Sequence, residues 1–309
     1  MTRTLRIGTR RSRLALIQTE MVRKAIEKVA PDISFEIIEY TTTGDKFLGD
    51  LSKVGGKGVF VKEIEDAMLK GEIDIAMHSM KDMPNHLPEG LVVAGVLPRD
   101  DIRDAAICKD GVAFEALAAG SKIGTSSLRR SSQLNRNFPH LTVVPLRGNL
   151  DTRLNKLKQG EVDAIILAKA GLDRMAWNDK ISLVFEPDMM LPAVGQGAVG
   201  IECKASDTEL LDIIKMVNCE KTFTCVTAER EMSLLLGGNC QTPIAGFCEV
   251  TKGHNLRFIA HVTSPDGSKI VRAREKMPYD EPKALGRKIA EDLLSQGAQT
   301  LIEDIKASA

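Results

Sequence analysis

Basic and hydroxyl side chains recur where the predicted strands of this 309-residue sequence end. They follow the strands predicted at Leu5–Gly8, Ile73–Met77, Lys122–Gly124 and Thr142–Pro145. The residues are Arg10, Ser12, Lys81, Thr125, Ser127, Arg129, Arg130, Arg147 and Arg153, and Gly148 lies next to Arg147. Ligands of open α/β sheets bind beyond the carboxyl ends of strands, where helix N-termini offer unpaired N–H donors and arginine matches carboxylate geometry. The pattern predicts a cleft for an anion with several carboxylates or phosphates.

An alternative interpretation is that these arginines form the solvated faces of amphipathic helices. One cluster alone would fit either interpretation. Four clusters at equivalent positions, in a chain whose 42 basic and 42 acidic residues cancel, favour the anion site. The glycine-rich basic segment 53–58 lacks the pattern of a P-loop, so it does not support nucleotide hydrolysis. The glycines and charges between Thr41 and Gly58 predict a mobile lid.

Asp82 and Cys240 could carry chemistry of another kind. Asp82 is an acid within the basic set and is either a turn residue or a carboxylate that stabilises a cationic intermediate or transfers protons. Cys240 lies in the loop-like sequence GGNCQTP, where an accessible thiol can form a covalent attachment, or it is a surface cysteine without a role. The other cysteines lie in segments expected to be buried, where cysteine is usually inert. They are Cys108, Cys203, Cys219, Cys225 and Cys248.

The composition excludes several classes of function. A hydrophobic fraction of 43% argues against disorder, and zero net charge with 4% aromatic residues argues against binding to nucleic acid or to anionic membranes. The sequence has no apolar segment typical of a signal peptide or a membrane span, so we expect a cytoplasmic protein whose cysteines are thiols. No CxxC pair occurs and the histidines do not cluster near cysteines, so we expect no metal site.

Alternating strands and helices over the first two-thirds of the chain predict mixed or parallel sheets covered by helices. Breaks at Leu97–Asp101 and Leu191–Gly197 divide this region. Two crossings between lobes would make a hinge, and a single linker would give sequential domains; composition allows both. Towards the C-terminus, predicted strands surround the turn Ser264–Gly267 and a helix follows, which predicts a small α+β domain with an antiparallel sheet.

Taken together, these motifs identify a family. The chain resembles hydroxymethylbilane synthases, also called porphobilinogen deaminases, over essentially its whole length. The matching stretches are GTRRSRLAL, TTGDK, KVGGKGVFVKEIE, DIAMHSMKDMP, RDDIRDA, IGTSSLRR, LRGNLDTRL, DAIILAKAGLDR, LPAVGQGAVGIEC, TAERE and GGNCQTPIAG. Several run for six or more residues and follow the family's order. Such agreement is specific, and it raises Cys240 from a chance surface residue to the expected site of covalent attachment.

The resemblance implies three domains. Two similar mixed-sheet α/β lobes with a double crossover, as in periplasmic binding proteins, would comprise residues 1–98 with 197–216 and residues 102–192. A small α+β domain, residues 219–309, would carry the cysteine. The resemblance also implies a dipyrromethane cofactor on Cys240 through a thioether. Four porphobilinogen units would be joined to it in turn with loss of ammonia, and hydrolysis would release hydroxymethylbilane. A cytoplasmic monomer with porphobilinogen as its small-molecule substrate is expected.

The family's residue roles carry over to matching positions. Asp82 would be the catalytic carboxylate that stabilises positive charge on pyrrole nitrogens. The expected binders of cofactor acetate and propionate groups are Lys81, Thr125, Ser127, Arg129, Arg130, Arg147, Gly148 and Arg153. The expected substrate binders are Arg10, Ser12, Arg174, Gln196 and Gly197. Two positions depart from the family: Asn239 directly precedes the cysteine where glycine is common, and Arg13 replaces a frequent proline.

Two other functions fit part of the sequence. A two-lobed solute-binding module would suit the first two lobes, but the loop cysteine and the third domain count against it. A transcription factor with such a sensor domain would need a DNA-reading segment, and there is no room for one before the first strand.

Overall fold

A computed structural model describes residues 3–46, 58, 60–238 and 242–308. The chain forms two compact units, Met1–Asp100 with Ala198–Phe223 and Asp101–Gly197 with Thr224–Ala309. It therefore passes from the first unit to the second, returns, and enters the second unit again. The predicted boundaries of three domains stay a prediction.

Strands and helices alternate over most of the chain. The strands of the described residues are β1 (Thr4–Arg10), β2 (Ser34–Tyr40), β3 (Ile75–Ser79), β4 (Leu91–Val96), β5 (Asp104–Cys108), β6 (Lys122–Gly124), β7 (Thr142–Val144), β8 (Ala164–Ala168), β9 (Leu183–Val184), β10 (Val199–Lys204), β11 (Ile244–Val250), β12 (Asn255–Thr263) and β13 (Ile270–Pro278). The α-helices are α1 (Arg13–Val29), α2 (Thr43–Lys46), α3 (Lys62–Lys70), α4 (Leu128–Asn137), α5 (Leu150–Lys158), α6 (Lys169–Arg174), α7 (Thr208–Val217), α8 (Glu220–Leu235), α9 (Pro282–Ser295) and α10 (Ala298–Ser308).

The sheet of the first unit has the order β2-β1-β3-β10-β4. β1 pairs in parallel with β2 and β3, whereas β10 runs antiparallel to β3 and β4. Helix α1 begins at Ser12, whose hydroxyl accepts a hydrogen bond from the Ala15 N–H at 3.3 Å. Its buried residues Val22 and Ile26 lie four positions apart on one face and pack with Ile7 in the core.

The larger sheet of the second unit repeats this pattern. Its order is β7-β6-β8-β5-β9. Here β6 pairs in parallel with β7 and β8, and β5 runs antiparallel to β8 and β9. Two five-stranded sheets with the same order and strand directions confirm the predicted class of two similar mixed-sheet lobes.

The remainder of the second unit is the predicted α+β domain. Strands β11, β12 and β13 form an antiparallel sheet. Phe258 of β12 packs against Leu285 and Ile289 of α9 in a common core. The predicted turn between β12 and β13 is present, and Gly267 has the left-handed φ of +77° that the turn requires.

Some local predictions were incomplete. The sequence patterns did not identify α7 or β10, which packs between β3 and β4. The pattern of residues 59–69 predicts a helix, and the observed helix α3 begins at Lys62. Cys219 was expected to be buried, but it is only half-buried, because it lies in the short link between α7 and α8 and not within a helix or strand. The predicted lid lies largely at residues 47–57, outside the described residues.

Candidate active site

The first unit has a carboxylate, that of Asp82, on a short turn at the end of β3. Because β1 and β3 are parallel neighbours, paired at Gly8 and Ala76, their carboxyl ends meet at one edge of the sheet. Strand β1 ends at Arg10, with Ser12 two residues later, and the turn Met80–Asp82 follows β3. Lys81 is half-buried and Asp82 is exposed. The predicted residues of this unit therefore lie at the same edge of one sheet, where Asp82 is accessible to a ligand.

Three contacts fix the turn that carries Asp82. The Met80 N–H donates to the carbonyl oxygen of Ala198 at 3.0 Å. The Gln18 side chain donates to the Ser79 hydroxyl at 2.9 Å. The Met80 side chain is buried over Gly200, where any Cβ would overlap its sulfur. An exposed carboxylate on an anchored turn is suited to interact with a ligand without a large rearrangement.

Arg10 and Ser12 each make a contact within the first unit. The Arg10 guanidinium lies over the Phe60 ring, 4.5 Å from its centroid, in a cation–π contact. Ser12 is the N-cap of α1. A ligand carboxylate at this helix start would meet the positive end of the helix dipole.

A buried group of titratable side chains lies within the first unit. The Nε2 atom of His78, on β3, is 2.9 Å from a carboxylate oxygen of Glu202, on β10, and both side chains are buried. Burial, followed by the charge of Glu202, raises the pKa of Glu65 on α3 to about 7. Glu65 and Glu202 each have a buried oxygen without a hydrogen-bond partner among the described residues. We expect the raised pKa of Glu65 to make the stability of the fold depend on pH.

In the second unit, the segments that follow three parallel strands lie at one sheet edge. Strands β7, β6 and β8 are parallel neighbours, paired through Gly124 with Val144 and Ile165. Their carboxyl ends therefore lie side by side. Ser127 caps α4 by accepting a hydrogen bond from the Arg130 N–H at 3.4 Å. The buried Thr125 hydroxyl accepts one from the Ser127 N–H at 3.2 Å. The predicted residues after β6 thus form the start of a capped helix.

Arg129 and Arg130 are buried and share one carboxylate, that of Asp104 on β5. Asp104 lies 2.7 Å from a guanidinium nitrogen of each arginine. Arg130 also donates to the carbonyl oxygen of Ile166 at 2.9 Å, and Arg129 to that of Leu191 at 2.8 Å. These arginines are therefore not the solvated face of α4.

The charges of this group do not cancel. Burial alone would raise the pKa of Asp104, but the two arginines hold it well below its usual range. Burial lowers the pKa of Arg129, and the charge of Arg130 lowers it further, while Asp104 opposes both effects. Two guanidinium groups and one carboxylate leave one net positive charge beneath the N-terminus of α4, which favours a bound anion.

The loop after β7 is fixed by a glycine and a cap. Gly148 has φ +117°, and a Cβ there would lie 2.6 Å from the Thr152 side chain. Asn149 caps α5 by accepting from the Thr152 N–H at 2.9 Å. The Arg153 side chain donates to the Gly148 carbonyl oxygen at 2.8 Å. Arg147, which directly precedes Gly148, is half-buried. This loop therefore holds two of the predicted arginines around a position that only glycine fits.

The segment Leu191–Gly197 is held by buried polar groups of the second unit. Gln196 is fully buried and donates to the carbonyl oxygen of Ile102 at 2.7 Å and to Asp104 at 3.0 Å. Arg174, at the end of α6, donates to the carbonyl oxygen of Gly197 at 2.9 Å. These predicted substrate binders therefore also fix the chain where it leaves the second unit.

Sequence reasoning assigned no role to Asp104 or Gln133. Asp104 opens an otherwise apolar buried strand, a position where an acid requires a buried cation, and this signal could have identified it. Gln133 gives no comparable signal in the sequence. Cys240 lies outside the described residues, so its attachment role stays a prediction.

Comparison with known proteins identifies two family models. The model described as porphobilinogen deaminase, dipyromethane cofactor binding domain, matches residues 5–212. The model of the porphobilinogen deaminase C-terminal domain matches residues 223–295.

Curated relatives match along the whole chain. The porphobilinogen deaminase of Bacillus pumilus is 47% identical and covers 98% of this chain and 98% of its own. That of Bacillus subtilis is 47% identical and covers 99% of this chain and 98% of its own. That of Gloeobacter violaceus is 46% identical and covers 99% and 94%.

Two solved structures are similar to part of this chain. The methionine binding protein MetQ has a TM-score of 0.44 and 13% identity, covering 71% of this chain and 92% of its own. The aliphatic sulphonate binding protein of Escherichia coli has a TM-score of 0.43 and 14% identity, covering 76% and 70%. The two family models and the relatives at 46% and 47% identity span nearly the whole sequence, and the chain therefore belongs to the porphobilinogen deaminase family.

Proposed function

We propose that this chain joins four porphobilinogen units in turn, releases ammonia at each addition, and hydrolyses the product to give the linear tetrapyrrole hydroxymethylbilane. This is a transferase reaction of tetrapyrrole biosynthesis. Family membership supports it, because the relatives along the whole chain are porphobilinogen deaminases.

The buried pair Arg129 and Arg130 carries the assignment of the anion site. Their single shared carboxylate, Asp104, leaves one positive charge beneath the N-terminus of α4. Porphobilinogen and its products carry acetate and propionate groups, and a carboxylate from such a ligand would complete the charge balance. Ser127 and Thr125 would add hydroxyl groups, while Arg147 and Arg153 would bind from the neighbouring loop.

The chemistry of these residues fits a dipyrromethane cofactor, which bears the same carboxylates. Arginine side chains and N–H groups at helix starts are the donors that several carboxylates require. We propose that Cys240 holds the cofactor through a thioether and that Lys81 and Gly148 belong to the same binding set. When bound, the dipyrromethane supplies the pyrrole carbon to which the first substrate unit is joined.

Asp82 is the proposed catalytic residue. Loss of ammonia from porphobilinogen leaves an electrophile whose pyrrole nitrogen carries positive charge. The Asp82 carboxylate, exposed on an anchored turn, would stabilise that charge, which develops mainly in the transition state. The proposed substrate binders are Arg10, Ser12, Arg174, Gln196 and Gly197. Because Gln196 is buried, it would also act by holding the segment Leu191–Gly197 in place.

Product analysis tests the proposed function. Purified chain supplied with porphobilinogen should release one ammonia per unit consumed and form hydroxymethylbilane. A solute-binding module would bind porphobilinogen without releasing ammonia, and that result would refute the proposal.

A substitution tests the anion site separately. We expect Arg129→Gln to lower the fraction of purified protein that carries dipyrromethane, measured by intact mass. Arg257→Gln is the matched control, since Arg257 pairs with Glu249 on the C-terminal sheet. Equal cofactor content in the two variants would remove Arg129 from the proposed site.

We propose in addition that the protein is a cytoplasmic monomer with domain boundaries near residues 98, 197 and 219. Among the described residues, none of the helices is both long and apolar enough to cross a membrane. Light scattering tests whether the protein is a monomer, and cell fractionation tests whether it is cytoplasmic. Limited proteolysis near residues 98, 197 and 219 tests the domain boundaries.

A further inference from the structure

His261 of the C-terminal sheet contacts the helix that carries Arg129. Its Nε2 atom lies 3.1 Å from Oε1 of Gln133, which is on α4 one turn after Arg129. Its Nδ1 atom lies 3.1 Å from the hydroxyl of Thr263. His261 is 7% exposed and Gln133 is 4% exposed, so neither side chain can replace these partners with bulk water.

The backbone of Leu191 determines the direction of these hydrogen bonds. The Leu191 N–H is only a donor and lies 2.7 Å from one end of the Gln133 amide, so that end must be the oxygen. The same oxygen can only accept, so His261 must carry its proton on Nε2. The Nδ1 atom then accepts from the Thr263 hydroxyl. When the ring is neutral, these contacts therefore select the tautomer with the proton on Nε2.

Burial and the surrounding charges keep His261 neutral. Burial, together with repulsion from Arg272 on β13 and from Arg129 and Arg136 on α4, lowers the pKa of His261 to about 3. The ring is therefore a fixed hydrogen-bond donor at physiological pH and does not act as a pH switch.

Gln133, whose amide is oriented by His261, forms hydrogen bonds to Arg129 and to Leu191. Its amide nitrogen donates to the carbonyl oxygens of Arg129 and of Leu191, both at 3.1 Å. The Arg129 guanidinium donates to the same Leu191 oxygen at 2.8 Å. With the contacts to the Leu191 N–H and to His261, the Gln133 amide uses both its donors and both its acceptor positions.

The turn between β12 and β13 fixes the other end of α4. Asn135 donates to the carbonyl oxygen of Pro265 at 2.9 Å, and Arg136 to that of Gly267 at 3.0 Å. A Cβ at Gly267 would lie 2.6 Å from the backbone nitrogen of Arg136, so the turn approaches the helix backbone closely. His261 therefore acts on a helix whose distal end is already docked on the same sheet.

The C-terminal domain also holds the segment after Leu191. The Gly246 N–H of β11 donates to the carbonyl oxygen of Pro192 at 3.0 Å. The buried carboxylate of Glu229 on α8 accepts from the N–H groups of Gly195, at 2.7 Å, and Cys248, at 2.9 Å. The segment that carries Gln196 and Gly197 is thus aligned by the same domain that contains Cys240.

We propose that His261 is a positioning residue: through Gln133 it sets the orientation of Arg129 and of Leu191, and so couples the domain of Cys240 to the anion site. The inference rests on the proposed function of Arg129. A histidine is suited to this role because its two ring nitrogens face opposite directions. One ring therefore joins Thr263 of its own strand to Gln133 of the helix.

Two substitutions separate the two ring nitrogens. The amide of His261→Gln can reach the position of Nε2 and keep the donor to Gln133. The amide of His261→Asn reaches only the position of Nδ1 and keeps the contact to Thr263. Both variants are polar and similar in size, so a general loss of packing affects them alike. His254→Gln is the matched control, because His254 is exposed on the same domain and stacks on Tyr279.

We expect His261→Asn to raise the KM for porphobilinogen about tenfold, the effect of about one buried hydrogen bond, with kcat of the loaded protein within about twofold of the unmodified value. The fraction carrying dipyrromethane by intact mass should fall. His261→Gln and His254→Gln should match the unmodified chain in both measurements. Equal behaviour of His261→Gln and His261→Asn would overturn the proposal.

Two further measurements complete the test. If Arg129→Gln changes neither KM nor cofactor content, the proposed role of Arg129 fails; if it changes them and His261→Asn does not, only the positioning role fails. Nitrogen-15 NMR of the unmodified protein reads the tautomer directly, without any variant. A neutral ring protonated on Nε2 is expected at neutral pH, and a ring protonated on Nδ1, or on both nitrogens, would contradict the inference.

Discussion

Replacing Asp104 with asparagine removes the negative charge that Arg129 and Arg130 share and keeps the size of the side chain. Asp104 is fully buried. Its Oδ1 atom accepts from Arg130 at 2.7 Å and from Gln196 at 3.0 Å, and its Oδ2 atom lies 2.7 Å from Arg129. Asparagine would present an NH2 group to one of these donors, so the substitution removes a charge and also a hydrogen bond.

The magnitude follows from the two cations left behind. Removing one partner of a buried ion pair costs about 3–5 kcal/mol, because an uncompensated charge remains in the interior. We therefore expect Asp104→Asn to lower the free energy of unfolding by about 3–5 kcal/mol. Adding Arg130→Met should recover at least ~1 kcal/mol, since the double variant buries one cation instead of two.

The pH dependence has a defined sign. The arginines hold the pKa of Asp104 below its ordinary value of 3.8, so the stabilisation is present above that pH and is lost as the pH falls through the lower pKa of the folded state. The difference between the unmodified chain and Asp104→Asn should be complete at neutral pH. It should shrink only in strongly acidic solution.

Urea unfolding followed by circular dichroism measures this difference. Asp292→Asn is the matched control, because Asp292 pairs with Lys288 on the surface of α9, and such a pair contributes about 0–1 kcal/mol. A loss below ~1 kcal/mol for Asp104→Asn, or a loss equal to that of the control, would refute the account of the buried charges.

Three further predictions concern the first unit and the loop after β7. Asp82→Asn, on cofactor-loaded protein, should keep near-normal porphobilinogen binding and lose on the order of 100-fold in single-turnover rate, while Asp82→Glu keeps part of the rate. The exposed Asp32→Asn is its control, and a near-normal rate for Asp82→Asn would return Asp82 to a turn residue. Because the pKa of Glu65 is raised to about 7 from 4.5, its contribution to stability is present below pH 4.5 and is lost as the pH rises through 7. Glu65→Gln should therefore gain on the order of 1–3 kcal/mol relative to the unmodified chain between pH 5 and pH 8 in urea unfolding, and an equal difference at both pH values would contradict this. Gly148→Ala should raise the KM for porphobilinogen at least several-fold, because the new Cβ meets Thr152, whereas Gly120→Ala, also at positive φ but with nothing within 4 Å, should leave it unchanged. Equal KM values for these two variants would argue against a fixed loop.

The sequence was most informative where local signals agree. The pattern of residues 128–137 predicts a helix with the bounds that α4 has, because Ser127 directly before it is a strong cap. The edge of each sheet where the arginines lie was also predictable, since strand ends and turn residues are local features. The network around Asp104 shows what the arginines do there: they are buried and paired.

Long-range partners were not predictable. Strand β10 escaped notice because Glu202 interrupts its apolar pattern, and the partner of that buried carboxylate, His78, is distant in the sequence. His261 and Gln133 are separated by 128 residues, and neither lies in a motif that predicts the other. Such pairs depend on how the C-terminal sheet packs against α4, which no local pattern specifies.

Intact mass spectrometry of the purified chain tests the central claim most directly. The unmodified chain and Cys219→Ser, the control at a half-buried cysteine, should both exceed their sequence masses by two linked pyrrole units. Cys240→Ser should have its sequence mass alone and form no hydroxymethylbilane, because a hydroxyl is a far poorer nucleophile than a thiolate. An adduct of unchanged mass on Cys240→Ser, or its absence from the unmodified chain that still turns over porphobilinogen, would contradict the account.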